Sequence, residues 1–158
     1  MTLEFQPAAL ADAHALVQAQ VAAFHHDSVL YPGVEVGGPP GYESVEVMQA
    51  KIMRDDAFSI WLDGQIVGGM VIYDQGSGHY HLDVIFIHPD YHNQGIGSQA
   101  LRFLDATYPA ARLWTLNTPA WAIRNQHFYE KFGYVKVSES EWEGFPLFDY
   151  ERYVQRPD

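Results

Sequence analysis

The chain has 158 residues, 47% of them hydrophobic, a formal charge of −11 and no cysteine. That is enough apolar material for one buried core, and it excludes a disulfide framework, a thiolate metal site and a cysteine nucleophile. The first of its nine basic residues is Lys51, so nucleic acid is an unfavourable partner; an acidic surface attracts cations, but more often serves solubility.

The start, "MTLEFQPAAL", lacks the basic and apolar regions of a signal peptide, and no stretch reaches the roughly 18 apolar residues of a membrane span. A soluble, cytoplasmic protein with no membrane partner is expected. "LEFQPAA" reads as a strand leading into "ALADAHALVQAQVAAF", where Leu10, Ala13, Leu16, Val17, Val21 and Phe24 recur at helical spacing. This helix is predicted to stop near His25 and His26. Gly33, Gly37, Gly38 and Gly41, with Pro32, Pro39 and Pro40, make the next stretch a loop. "SVEVMQAKIMRDD" is a helix with Ser44 as its N-cap.

Two apolar runs around Asp63-Gly64 then read as a hairpin. "GHYHLDVIFIHP" is a strand closed by Pro89, and "GSQALRFLDATY" a helix with Ala100, Leu101, Leu104 and Tyr108 on one face. "RLWTLNT" is a strand, "PAWAIRNQHFYEKFG" a helix with proline near its start and Gly133 at its end, and "YVKV" and "LFDYERYV" are strands. The order β, α, α, β, β, β, α, β, α, β, β is that of an α/β chain with a mixed sheet.

Between a strand and a helix, "YHNQGIGSQAL" carries Gly95 and Gly97 and no lysine or arginine. Glycines there let main-chain N–H groups face an anion, and the helix N-terminus adds a partial positive charge. The spacing is neither that of a P-loop nor G-x-G-x-x-G. "VIFIHPDYHNQGIGSQAL" and, further on, "FYEKFGY" from Phe128 to Tyr134 together resemble the two signatures of the GNAT superfamily of acyl-CoA-dependent N-acyltransferases. His92 departs from the pattern, standing where the family most often has Gln or Arg.

The resemblance implies residues 1–158 as a single N-acetyltransferase domain of GNAT fold. Its sheet is α/β (α+β-like), central, mixed, mostly antiparallel and twisted, with about seven strands and about four flanking helices. Splayed parallel strands form the cleft for acetyl-CoA, an acyl-donor cosubstrate. The main chain of Ile85, Phe86 and Ile87 would receive the pantetheine arm, whereas the side chains of Leu82, Val84 and Phe86 are expected to be core. His92, Asn93, Gln94, Gly95, Ile96, Gly97 and Ser98 would hold the pyrophosphate, and Asn125 would touch the cofactor. Arg124 and Lys131 can add charge near the CoA, or be only solvated helix residues.

Transfer requires a neutral amine, an exit for its proton and a donor for the departing thiolate. Tyr129 matches the family's general acid, and His81 falls where many relatives carry a catalytic glutamate. Asp83 is the second candidate base, and a water chain the third. His79, His81 and Asp83 share a strand face by alternation, so a His/Asp metal-dependent enzyme is a separate reading. It is disfavoured because H-E-x-x-H is absent and His25 and His26 point apart on a helix, so no metal is expected. A non-catalytic acyl-CoA-binding regulatory domain is the third reading, since fold does not establish activity.

For the acceptor, the resemblance points to the loop "HHDSVLYPGVEVGGPPGYESVE". Its charges, Asp27, Glu35, Glu43 and Glu46, are all acidic and stand beside Tyr31 and Tyr42. Such a wall suits a cationic amine, though loop acids are commonly just solvated. "SESEWEGFPLFDY", with Glu139, Glu141, Trp142 and Glu143, fits either another edge of the site or a homodimer interface. The acceptor itself, whether polyamine, amino acid, antibiotic or protein amine, and the acyl length are not legible.

Overall fold

The computed structural model describes residues 2–31 and 33–154; Pro32, read above as part of a loop, lies outside the described residues. Strands β1 (Leu3–Pro7), β2 (Asp56–Leu62), β3 (Gln65–Gly76), β4 (His79–Ile87), β5 (Leu113–Pro119), β6 (Val135–Trp142) and β7 (Phe145–Tyr153) form one sheet. Their order is β1-β2-β3-β4-β5-β7-β6, with every junction antiparallel except β4–β5. Helices α1 (Ala13–Val29), α2 (Val45–Arg54), α3 (Ile96–Thr107) and α4 (Ile123–Lys131) complete the predicted order of elements. The sheet is thus the mixed, mostly antiparallel one expected.

Two apolar clusters lie on its faces. Leu16, Val17, Ala23 and Met48 of α1 and α2 pack with Val71 and Phe86, whereas Ile96, Leu101 and Leu104 of α3 and Tyr129 of α4 pack with Ile72, Leu82, Trp114 and Tyr150. Sheet residues alternate between these cores, as the two-residue period of a strand requires.

One irregularity redirects that alternation. Val84 pairs with Val71 but Leu82 with Ile72, which leaves Asp83 as an extra residue in β4. Strict alternation would put Leu82, Val84 and Phe86 on one face. With the bulge, Leu82 belongs to the α3/α4 core, and Val84 and Phe86 to the α1/α2 core.

Local chemistry explains most of the other boundaries. Ser44 caps α2 by accepting a bond from the Val47 N–H at 3.2 Å. Asp63 and Gly64 both have positive φ, 50° and 81°, as a tight β2–β3 turn demands. Three expectations need correction. Helix α1 does not stop at His25 and His26 but runs on to Val29. There Ser28, fully buried, donates to the His25 carbonyl and accepts from the Gly37 N–H, so a contact with the following loop holds the extra turn. Pro119 does not begin α4: it ends β5 opposite Leu147, and the helix starts at Ile123 after a turn closed by the Ala122 N–H on the Pro119 carbonyl. Finally, β6 extends well beyond "YVKV" to Trp142, turning through Glu143 and Gly144 at φ 48° and 81°.

Candidate active site

Strands β4 and β5 are paired only from His79–Leu113 to Leu82–Leu116. Beyond that point β5 continues against β7, so β4 from Asp83 onward loses its neighbour, and main-chain groups on that edge need other partners. The gap opens into a cavity of ≈ 600 Å³, within the range of small-molecule and cofactor sites.

The glycine-rich loop forms one end of the cavity. Gly95 is the N-cap of α3 in a left-handed conformation at φ 76°, and no side chain caps the helix. The first N–H groups of a helix have no intrahelical partner, so those of Ile96, Gly97 and Ser98, all on the lining, are available to an anion. Gly97 serves a different need. A β-carbon there would lie 3.0 Å from Phe128 Cζ, so its absence lets α3 approach α4.

His92 also lines the cavity, but its imidazole is engaged: Nε2–H donates to the Ile87 carbonyl at 2.7 Å, clamping the loop to the end of β4. Burial pushes its pKa down, against the pull of the Ile87 carbonyl and Asp27. Two buried polar atoms on lining residues, His92 Nδ1 and Thr118 Oγ1, have no hydrogen-bond partner among the described residues.

Of the residues read from the sequence, Asp83, Ile85, Phe86, Ile87, His92, Asn93, Gly95, Ile96, Gly97, Ser98, Asn125 and Tyr129 line this one cavity, joined by Arg124 and Lys131. Gln94 is exposed and His81 half-buried; neither is on the lining. Tyr129 is 7% exposed. Burial, then the nearby Tyr134 and Asp27, raise its pKa, which keeps the phenol protonated and able to donate.

The β4 histidines turn toward β5. His79 Nε2 and His81 Nδ1 both contact Thr115 Oγ1, at 2.8 and 2.7 Å. Burial lowers the pKa of His81; Asp83 and Asn117 oppose this, and His79 adds to it. Asn117 lines the cavity and donates to Asp149 at 2.6 Å, and Ser138 and Ser140 donate to the same carboxylate. Asp83 instead meets Lys51 Nζ at 2.7 Å, an ion pair at the cavity wall. With both imidazoles on a threonine and the carboxylate on a lysine, the three side chains do not converge on one point. Among the described residues no group of three or more His, Cys, Asp or Glu is arranged to hold a metal.

Sequence reading missed Lys51, Thr115, Asn117 and Thr118. Each is an ordinary residue within a helix or strand, and only the pairing of β4 with β5 and the packing of α2 bring them to the site. Some residues of the stretches expected to wall an acceptor also reach this cavity. Tyr42 is fastened to α1 by its carbonyl, which accepts from Gln20 at 2.6 Å, and by its hydroxyl, 2.7 Å from His25 Nε2. It lines the cavity with Pro39 and Pro40, and Trp142, Phe145 and Leu147 of the β6–β7 hairpin line it too.

The model of the acetyltransferase (GNAT) domain matches residues 54–136, from the end of α2 into β6. The chain belongs to the GNAT acetyltransferase family. Over 73 residues it is 40% identical to the uncharacterized protein YrkN of Bacillus subtilis (strain 168), a match spanning 46% of this chain and 40% of that protein. GNAT-fold structures align over nearly the full length. An acetyltransferase from Thermus thermophilus has a TM-score of 0.74 at 20% identity, covering 98% of both chains. The PaiA N-acetyltransferase of Thermoplasma acidophilum, solved in complex with coenzyme A, has a TM-score of 0.79 at 15% identity over 98% of this chain and 100% of its own. At these identities the structural likeness speaks for the GNAT fold alone.

Proposed function

We propose that this GNAT domain transfers an acetyl group from acetyl-CoA to a primary amine by direct attack within a ternary complex. The observation that carries the reading is the cleft opened where β4 leaves β5, which runs from the uncapped N-terminus of α3 to Tyr129. The residues present fit a CoA: unpaired β4 main chain for the pantetheine amides, helix N–H groups for the pyrophosphate, and Arg124 and Lys131 on the same lining. Thr118 Oγ1, buried and without a partner among the described residues, is a further donor for the arm.

When bound, acetyl-CoA supplies the electrophilic thioester. The amine nitrogen forms the new C–N bond as the C–S bond breaks, and Tyr129 gives its phenolic proton to the departing sulfur. In this reading Asp83, on the cavity lining, takes the amine proton. His81, neutral because burial lowers its pKa and electrostatically coupled to Asp83, is the acceptor behind it.

The test is free-thiol release from acetyl-CoA over a panel of polyamines, amino acids, aminoglycosides and peptides, with CoA binding followed by titration calorimetry. CoA binding with turnover of at least one amine is expected. CoA binding without thiol release on any amine would favour a regulatory acyl-CoA-binding domain, and no CoA binding would end the reading.

A further inference from the structure

The cleft-lining face of α1 consists of Gln20, Ala23, Phe24 and Asp27, spaced i, i+3, i+4 and i+7. Three are neutral, and the amide of Gln20 is committed to the Tyr42 carbonyl. Asp27 is the one charge on that face, and it stands where a carboxylate is poorly supported. It lies in the last turn of the helix, whose C-terminus carries partial negative charge. Its carboxylate makes no hydrogen bond or ion pair among the described residues; it feels only burial and the more distant charges of His92, Arg124 and His26. Burial outweighs those three and raises its pKa. A half-buried carboxylate without a partner, at the wrong end of a helix, costs stability unless a cation completes it.

Its placement relative to the reaction centre indicates which cation. Asp27 and Tyr129 line the same cleft, and the charge of Asp27 acts on the Tyr129 hydroxyl. Phe24, one turn earlier, adds an aromatic face able to attract an ammonium. Arg124, on α4, is the rival occupant, but its guanidinium makes no ion pair with Asp27 within 4.0 Å.

We infer that Asp27 receives the charged nitrogen of the acceptor, so that acceptors enter as small alkylammonium ions docked between Asp27 and Phe24 beside Tyr129. The inference rests on the transferase reading above, and gives it a substrate class and a residue that selects for it. Asp27 acts here in recognition; the amine proton leaves later by way of Asp83 and His81.

The test uses the full chain saturated with CoA, titrated calorimetrically at pH 7 with phenethylamine and with 1,4-diaminobutane, as wild type and as Asp27→Asn. Wild type should bind at least one of the two amines, and Asp27→Asn should bind it at least about tenfold more weakly. CoA affinity should stay within about twofold. The variant should also melt no lower than wild type, because it removes an unsupported charge while keeping the shape. Undiminished amine binding in the variant overturns the inference, as does failure of both amines to bind wild type that binds CoA. Weakened CoA binding in the variant also overturns it, by assigning Asp27 to Arg124 and the cofactor end. Only loss of CoA binding by wild type would take the transferase reading down as well.

Discussion

At the scale of single residues, the proposed chemistry turns on Tyr129 and on the polar cluster between β4 and β5. Tyr129→Phe removes one hydroxyl from a packed ring, so turnover should fall by about 10²-fold with CoA affinity unchanged. Equal activity in single-turnover assays would take Tyr129 out of the acid role. For His81, burial favours the neutral ring, so its protonation should appear as an acidic limb in kcat/KM below pH 6.5. Tyr73, stacked at 6.1 Å, and Asp83, His79, Asn117 and Asp149 also bear on this ring. His81→Gln should remove the limb; a profile identical to wild type would assign it to another group. Tyr129 and His81 could be put forward from the chain, because both fall in or near recognisable motifs. That His81 meets Thr115, and that Asp83 is paired with Lys51, could not: these partners are far apart in sequence and meet only through sheet pairing and helix docking.

Among the elements, the junction before α3 concentrates the requirements for an anion site. Gly95 holds φ 76° with open space around it, so Gly95→Ala should cost about 1–2 kcal/mol through the backbone alone. Gly97 is limited by Phe128 instead, and Gly97→Glu should abolish CoA binding by adding bulk and negative charge at the helix N-terminus. Normal CoA binding by that variant would mean that the cradle lies elsewhere. Ser44→Ala offers a control remote from the chemistry: loss of the α2 cap should cost about 1 kcal/mol in denaturant unfolding. These elements were legible because capping residues, turn glycines and hydrophobic periods are local signals. Two of the misread boundaries depended on contacts beyond the segment itself: the last turn of α1 is held by the loop beyond it, and Pro119 stays in β5 because β7 pairs with it.

For the whole molecule, pH should act on stability through partly buried groups of opposite sign. His81 and His92 have folded pKa values below 6.5, so between those values and 6.5 the unfolded chain binds more protons. Their contribution is therefore complete near neutral pH and is lost as pH falls through that window. Asp27, raised above 3.8, works the other way: the folded chain binds more protons above 3.8, and that contribution is lost as pH rises through its folded pKa. Thermal melts should accordingly show His92→Gln flattening the decline below pH 6.5, with Asp27→Asn gaining most at neutral pH. An unchanged melting profile in both variants would contradict these shifts.

What the sequence determined by itself is the order of elements, the glycine-opened helix and the tyrosine of the second motif, because each is written in contiguous residues. Fold class follows from the same signals. The tertiary structure alone decided where β4 parts from β5, how the Asp83 bulge sends Leu82 to one core and Val84 and Phe86 to the other, and which charges end up paired. Register and ion pairing are relations between distant segments, and no local pattern encodes them. The same reason accounts for Asp27, one acid among several from the end of α1 to the start of α2, which packing leaves on the wall of the cleft without a hydrogen-bond or ion-pair partner among the described residues.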